Sequence, residues 1–219
     1  MLNWKSYIYG DENGPGLLKE LSKRVGILSK LRPLLPDDKF NKVVSGIFYS
    51  KLIYCMAVWT GVWNIPGQLE DGNKTSITKA DMRKLQILQN KVLRLQTRLD
   101  RSTLTKVLLS QSKALSVHQL GAFSIASQLY SVYKTKKPVY HHNRLFAQEP
   151  NEVKNMVTRS SELQNIKVNF KLSIARGSFF YQGARLFQSI PNEIWNSISK
   201  SQFKSKCKKW IKENISVKP

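Results

Sequence analysis

Apolar residues recur at three- and four-residue intervals along most of the chain, the period of an amphipathic helix rather than the two-residue alternation of a strand. Leu17, Leu18, Leu21, Val25, Leu28 and Leu31 fall on one face of a first helix that ends before Pro33. Asp37 caps a second, with Phe40, Val43, Val44, Ile47 and Phe48 at core spacing, that continues through an aromatic-rich stretch to near Trp59. Glycine, asparagine and hydroxyl residues over 64–77 read as a polar loop. Thr78 and Asp81 form a capping box that opens a third helix with the apolar seam Leu85, Leu88, Val92, Leu95 and Leu99. Ser116 and Gln119 repeat that box for a fourth helix, lined by Val117, Leu120, Phe123, Leu129, Tyr130 and Tyr133 and ending near Pro138. From about 138 to 170 the period fades, predicting loop with short extended pieces. Ser199 and Gln202 cap a last helix whose stripe is Phe203, Cys207, Trp210 and Ile211. The expectation is a mainly α chain: a helical domain over 1–137, an irregular basic linker over 138–175, and a tail over 176–219 that closes on a basic helix.

Charge changes the picture more than size does. The chain has 219 residues, enough for one good core or two small ones, and its 41% apolar content excludes wholly disordered behaviour. Its 36 basic residues stand against 14 acidic ones, a formal charge of +22. Such an excess opposes compaction unless a polyanion neutralises it, so a polyanionic partner is expected. No stretch approaches the roughly 18 apolar residues of a spanning helix, which favours nucleic acid over membrane. Met1-Leu2-Asn3-Trp4-Lys5 lacks an apolar signal region, so the expected location is nuclear or cytoplasmic, not secreted.

The third helix focuses this charge. At about 100° per residue, Lys84, Lys91, Arg94 and Arg98 share one arc, bordered by Arg83 and Arg101 and separate from the leucine seam. A solvated face is the ordinary alternative, but such faces mix both signs. Between Lys79 and Lys137 only Asp81 and Asp100 are acidic. A one-signed face suits a phosphate backbone, where each neutralised phosphate releases counterions. The last helix carries Lys204, Lys206, Lys208, Lys209 and Lys212 around its stripe.

Catalytic chemistry is harder to find. The adjacent acids Asp37-Asp38 stand at a helix start, where they cap and oppose the helix dipole. Asp11-Glu12 lies in a glycine-rich turn. No phosphate-binding G-x-x-x-x-G-K-[ST] loop is present. Cys55 and Cys207 are far apart and read as free thiols, Cys55 packed in an apolar run and Cys207 with its pKa lowered by Lys206, Lys208 and Lys209. Two cysteines cannot build a zinc knuckle, and His141-His142 read as surface loop residues. The expectation is no catalytic residue, no metal site and no cofactor within this chain.

Several strings resemble one family in order. Arg176-Gly177-Ser178-Phe179-Phe180-Tyr181-Gln182-Gly183-Ala184-Arg185-Leu186-Phe187-Gln188-Ser189-Ile190-Pro191-Asn192-Glu193-Ile194 is similar to the F-x-Y-x-G-x-x-x-W/F-N-x-L-P-x-x-I tail of reverse transcriptases from non-LTR retrotransposons (jockey-like and related long interspersed elements). Ser199-Lys200-Ser201-Gln202-Phe203-Lys204 resembles the S-x-x-x-F-K that follows it. Upstream, Lys23-Arg24-Val25-Gly26-Ile27-Leu28 through Pro36, Tyr49 through Trp59, Arg83 through Arg94 and Leu115-Ser116-Val117-His118-Gln119-Leu120 resemble successive segments of that family's thumb. The departures are Cys55, where glycine is usual, and Phe187-Gln188, where W-N is usual; both read as volume-tolerant.

The resemblance implies a helical thumb-like bundle and tail, a non-catalytic C-terminal part of an RNA-directed DNA polymerase that clamps template and primer behind the palm. Lys84, Lys91, Arg94 and Arg98 would grip phosphates, with Arg83, Arg176, Arg185, Lys204 and Lys208 extending the track. Phe179, Phe180 and Tyr181 are candidates either for core or for stacking on unpaired bases. The expected partners are an RNA template, a DNA primer or target, and the palm of the same polyprotein, but no membrane. Mg²⁺ is expected only in that palm, whose carboxylate hairpin is missing here. Leu2-Asn3-Trp4-Lys5-Ser6-Tyr7-Ile8 enters mid-pattern, as if a palm strand preceded it. Two other readings stay open: a stand-alone RNA- or DNA-binding protein derived from a retroelement, and a functionless remnant.

Overall fold

The computed structural model describes residues 4–12, 14–61, 77–146 and 178–217. Helix occupies 76% of them and strand 2%, as the apolar spacing requires. The chain forms two compact units, Met1–Thr60 with Ser76–Gly121 and Ser216–Pro219, and Gly61–Thr75 with Ala122–Ile215. The division falls at Gly121, inside the fourth expected helix.

In the first unit, α1 (Trp4–Tyr9) leads into a short antiparallel hairpin, Gly10–Asp11 with Gly14–Pro15. Gly16 follows with no room for a side chain, because a Cβ there would lie 2.1 Å from the Gly10 nitrogen. Helix α2 (Leu17–Leu31) buries Leu17, Leu21 and Leu28, while Leu18, Val25 and Leu31 remain half-buried. After a 3₁₀ turn (Arg32–Leu34), α3 (Asp37–Val44) begins. Its N-cap position is Pro36, so Asp37 is not the cap the sequence suggests but a first-turn residue, bound to the Arg32 and Arg98 guanidiniums. The chain then passes through a π-helical turn (Ser45–Tyr49) into α4 (Ser50–Ile53). Arg24 donates to the Ile47 carbonyl within that turn at 2.6 Å, where the regular hydrogen-bond ladder is shifted. Phe40, Val44, Phe48, Leu52 and Met56 form a fully buried row.

The expected continuous helix to Trp59 breaks at Tyr54–Cys55. Cys55 adopts φ 49°, ψ 23°, is exposed rather than packed, and precedes the short α5 (Met56–Trp59). Left-handed backbone is costly for a residue with a Cβ and free for glycine. Cysteine at position 55 therefore carries a conformational cost, and the departure is not one of side-chain volume alone.

Helix α6 (Lys79–Thr97) has the expected capping box: Asp81 N–H donates to Thr78 Oγ1 at 3.2 Å, and Thr78 N–H to the Asp81 carboxylate at 3.3 Å. Met82, Leu85, Leu88, Val92 and Leu93 are buried, whereas Leu95 and Leu99 are only half-buried. Leu93 packs with Leu108 and Leu109 of α7 (Thr105–Gln111), against Leu99, Ala114 and Val217. Ser116 and Gln119 make their reciprocal box at the start of α8 (Val117–Thr135).

The second unit takes up the rest of α8. Where the sequence suggested loop, Val139–Phe146 is an α-helix, α9; its apolar pattern is short, with Leu145 buried. Residues 147–175 of the expected linker and 64–76 of the expected polar loop lie outside the described residues. Helix α10 (Phe179–Ser189) starts at Ser178, whose hydroxyl accepts from Tyr181 N–H. Gly183 lets it approach α8 closely, since a Cβ there would sit 3.1 Å from Leu129. A short turn of helix, α11 (Asn192–Trp195), precedes α12 (Lys200–Asn214), capped by Ser199 through Gln202 N–H. The core is aromatic: Phe203 stacks on Tyr130 at 4.1 Å and lies 5.2 Å from Trp195, which lies 4.5 Å from Phe187. Trp195 Nε1–H donates to the Phe187 carbonyl and the Tyr130 hydroxyl to Ser197, so each polar tip is satisfied where it is buried.

Candidate nucleic-acid interface

The basic arc of α6 forms, but its members are unequally committed. Arg83 and Lys91 are exposed and have no hydrogen bond or ion pair among the described residues. Arg98 is exposed, sits in left-handed backbone (φ 57°) at the helix C-terminus, and pairs with Asp37 at 3.0 Å. That pair is open to solvent and screened by it, so a phosphate can compete for Arg98. Lys84 donates to the Tyr9 hydroxyl at 2.9 Å and lies 4.8 Å from the centre of that ring. The Tyr9 hydroxyl in turn donates to Asp81. The bond to Tyr9 raises the Lys84 pKa, ahead of an opposing desolvation. Burial pushes the Asp81 carboxyl up, but the bonds from Tyr9 and Thr78 outweigh it and its pKa is lowered.

Arg94 serves the fold instead. It is half-buried and donates to the carbonyls of Asp100, at 3.4 Å, and Thr103, at 3.1 Å, closing the loop after the helix. Arg101, at the edge of the arc, is exposed on that loop. Ile87 lies inside the arc and is 56% exposed, an apolar contact that the charge pattern alone did not single out.

The polar residues of the same helix are structural. Gln86 donates to Gln89 and Asn90, both at 2.9 Å, and accepts from Val117 N–H. Gln89 reaches the Leu115 carbonyl at 2.8 Å, and Asn90 reaches Thr105. The Gln-x-x-Gln-Asn string thus fixes the segments that follow α6.

In the second unit, Lys204, Lys206, Lys208 and Lys209 of α12 are exposed and hold no ion pair among the described residues. Lys200 and Lys212 are also exposed, and Glu213 is the only acid on the helix. Phe203, Cys207 and Ile211 anchor it from the opposite face. Arg185 is not on an exposed track: it is buried, with its guanidinium 5.7 Å from the Tyr181 ring centre. Arg176 lies outside the described residues.

Cys207 also departs from expectation. The neighbouring lysines point to a lowered pKa, but burial pushes the thiol up to about 12, because lysines on the solvent face of a helix barely stabilise a thiolate on the core face. Among the described residues no group of three or more His, Cys, Asp or Glu is placed to hold a metal ion. Nor is any of their helices long and apolar enough to cross a membrane. No protein-family model matches the chain, and neither a curated protein nor a solved structure matches it.

Proposed function

We propose that the chain is a nucleic-acid-binding, non-catalytic part of a retroelement reverse transcriptase, a thumb and tail that hold template and primer through their phosphates. The observation that carries this reading is the surface of α12, where four exposed lysines have no acidic partner. A rigid helix anchored by one buried stripe and densely basic elsewhere binds backbone phosphates without reading sequence. Arg83 and Lys91 offer the same chemistry on α6, with Arg98 exchangeable. The family assignment rests on the ordered strings from Lys23 to Lys204.

Two experiments test the two parts of this reading. Binding of the full chain to an RNA–DNA hybrid duplex should weaken with salt. Lys204→Ala with Lys208→Ala should lower the log–log slope by about two, and so should Arg83→Ala with Lys91→Ala. Absence of duplex binding at low salt would overturn the clamp. Sequencing the transcript across the Met1 codon tests the family: an in-frame palm with its carboxylate hairpin is expected upstream, and an unrelated upstream frame would remove that support.

A further inference from the structure

The second unit contains a set of rings that its core does not use. Helix α9 is held by its C-terminal end, where Leu145 is buried and Phe146 packs 5.5 Å from Tyr133 and 5.2 Å from Phe187. Its N-terminal end stands out: Val139 is 62% and Tyr140 63% exposed. Beside them the half-buried rings of His141, Phe179 and Phe180 cluster, His141 5.2 Å and Tyr140 6.2 Å from Phe180. Arg144, one turn on from Tyr140, is exposed; it donates to the Tyr140 hydroxyl at 2.6 Å and lies 4.6 Å above the Phe180 ring. The guanidinium therefore fixes the Tyr140 ring in place while leaving most of it in water.

The charge around this cluster has one sign. No acidic residue occurs from Ala122 to Phe146 or from Ser178 to Asn192. Lys134, Lys136 and Lys137, all exposed, lead up to α9. A single exposed tyrosine is commonplace. An exposed ring held by an arginine, beside further rings and lysines without acids, is how a protein stacks the bases of a single strand while its cations track the phosphates.

We propose that Tyr140, backed by Phe180 and Arg144, forms a stacking platform for unpaired bases of a single-stranded nucleic acid. The proposal shares with the proposed function only the premise that the partner is nucleic acid. It adds a site on α9, with base stacking where the helix lysines supply phosphate contacts.

The test measures binding of the full chain to three labelled probes of equal length: a single strand, the same strand without bases, and a duplex. Tyr140→Ala should weaken the base-bearing strand about tenfold, and Tyr140→Phe, which keeps the ring but loses the bond from Arg144, should lose less. Abasic strand, duplex and salt slope should be unchanged by either variant, since no charge is removed. Unaltered single-strand affinity in Tyr140→Ala overturns the platform, and so does an equal loss on all three probes. Wild-type binding to the single strand but not the duplex, with the Tyr140→Ala loss, supports the platform and rejects the duplex clamp. A duplex-binding wild type whose single-strand affinity ignores Tyr140→Ala does the reverse.

Discussion

Helices α6 and α12 look alike in sequence and differ in what their cations do. Both carry a basic surface opposite an apolar stripe. On α6, Lys84 is held by Tyr9, Arg94 by the carbonyls of the following loop, and Arg98 by Asp37. On α12, Lys204, Lys206, Lys208 and Lys209 are uncommitted among the described residues. A wheel diagram places charges but not their partners. Two of the α6 partners, Tyr9 and Asp37, come from far along the chain, and no local pattern announces them.

Five measurements test these assignments. The largest effect is expected from Phe203→Ala, which removes the ring stacked on Tyr130 and should cost about 3–5 kcal/mol in denaturant unfolding. A smaller loss would mean that α12 is not anchored as described. Next comes acid. His118 of the first unit is buried, its ring Nδ1–H facing the Ser216 carbonyl at 3.1 Å, and burial lowers its pKa from 6.5 to about 4. The unfolded state takes up a proton first as pH falls, so stability present above about 6.5 declines down to about pH 4, by on the order of 3 kcal/mol. His118→Asn should flatten that decline, and an unchanged pH profile would show that His118 does not produce it.

Arg94→Ala should destabilise the fold by about 1–3 kcal/mol, because it strips donors from the loop carbonyls. A variant of wild-type stability with weaker duplex binding would instead return Arg94 to the phosphate-gripping set. Lys204→Ala with Lys208→Ala should do the opposite, losing about tenfold in duplex affinity at low salt with no change in melting temperature. The smallest effect is a gain. Cys55→Gly should stabilise the first unit by about 0.5–1 kcal/mol by relieving left-handed backbone; a loss would show that the Cys55 side chain contributes more than its backbone costs.

Much of the fold was legible because its signals are local. The Thr78–Asp81, Ser116–Gln119 and Ser199–Gln202 caps act across three residues and are present as read. The buried stripes of α2 and α12 follow from spacing alone. What escaped depends on distant packing: the break at Cys55, the burial of Arg185, the raised rather than lowered pKa of Cys207, and the helix over Val139–Phe146. The candidate site was legible to a lesser degree. Gln86, Gln89 and Asn90 stand out in sequence because they build the fold, whereas Tyr140 and Arg144 belong to no string and emerge only where α9 meets α10.

The π-helical turn at Ser45–Tyr49 has a consequence for how chain length sets register. A row spaced every fourth residue drifts around a regular α-helix, and from Phe40 to Leu52 that drift reaches about 120°. One residue taken up by the wider turn subtracts about 100°. The turn works as a vernier, bringing a four-residue sequence repeat back into line with a 3.6-residue helix. Deleting any one residue between 45 and 49 would leave every downstream amino acid intact and still swing Leu52 away from the face that Phe40 occupies.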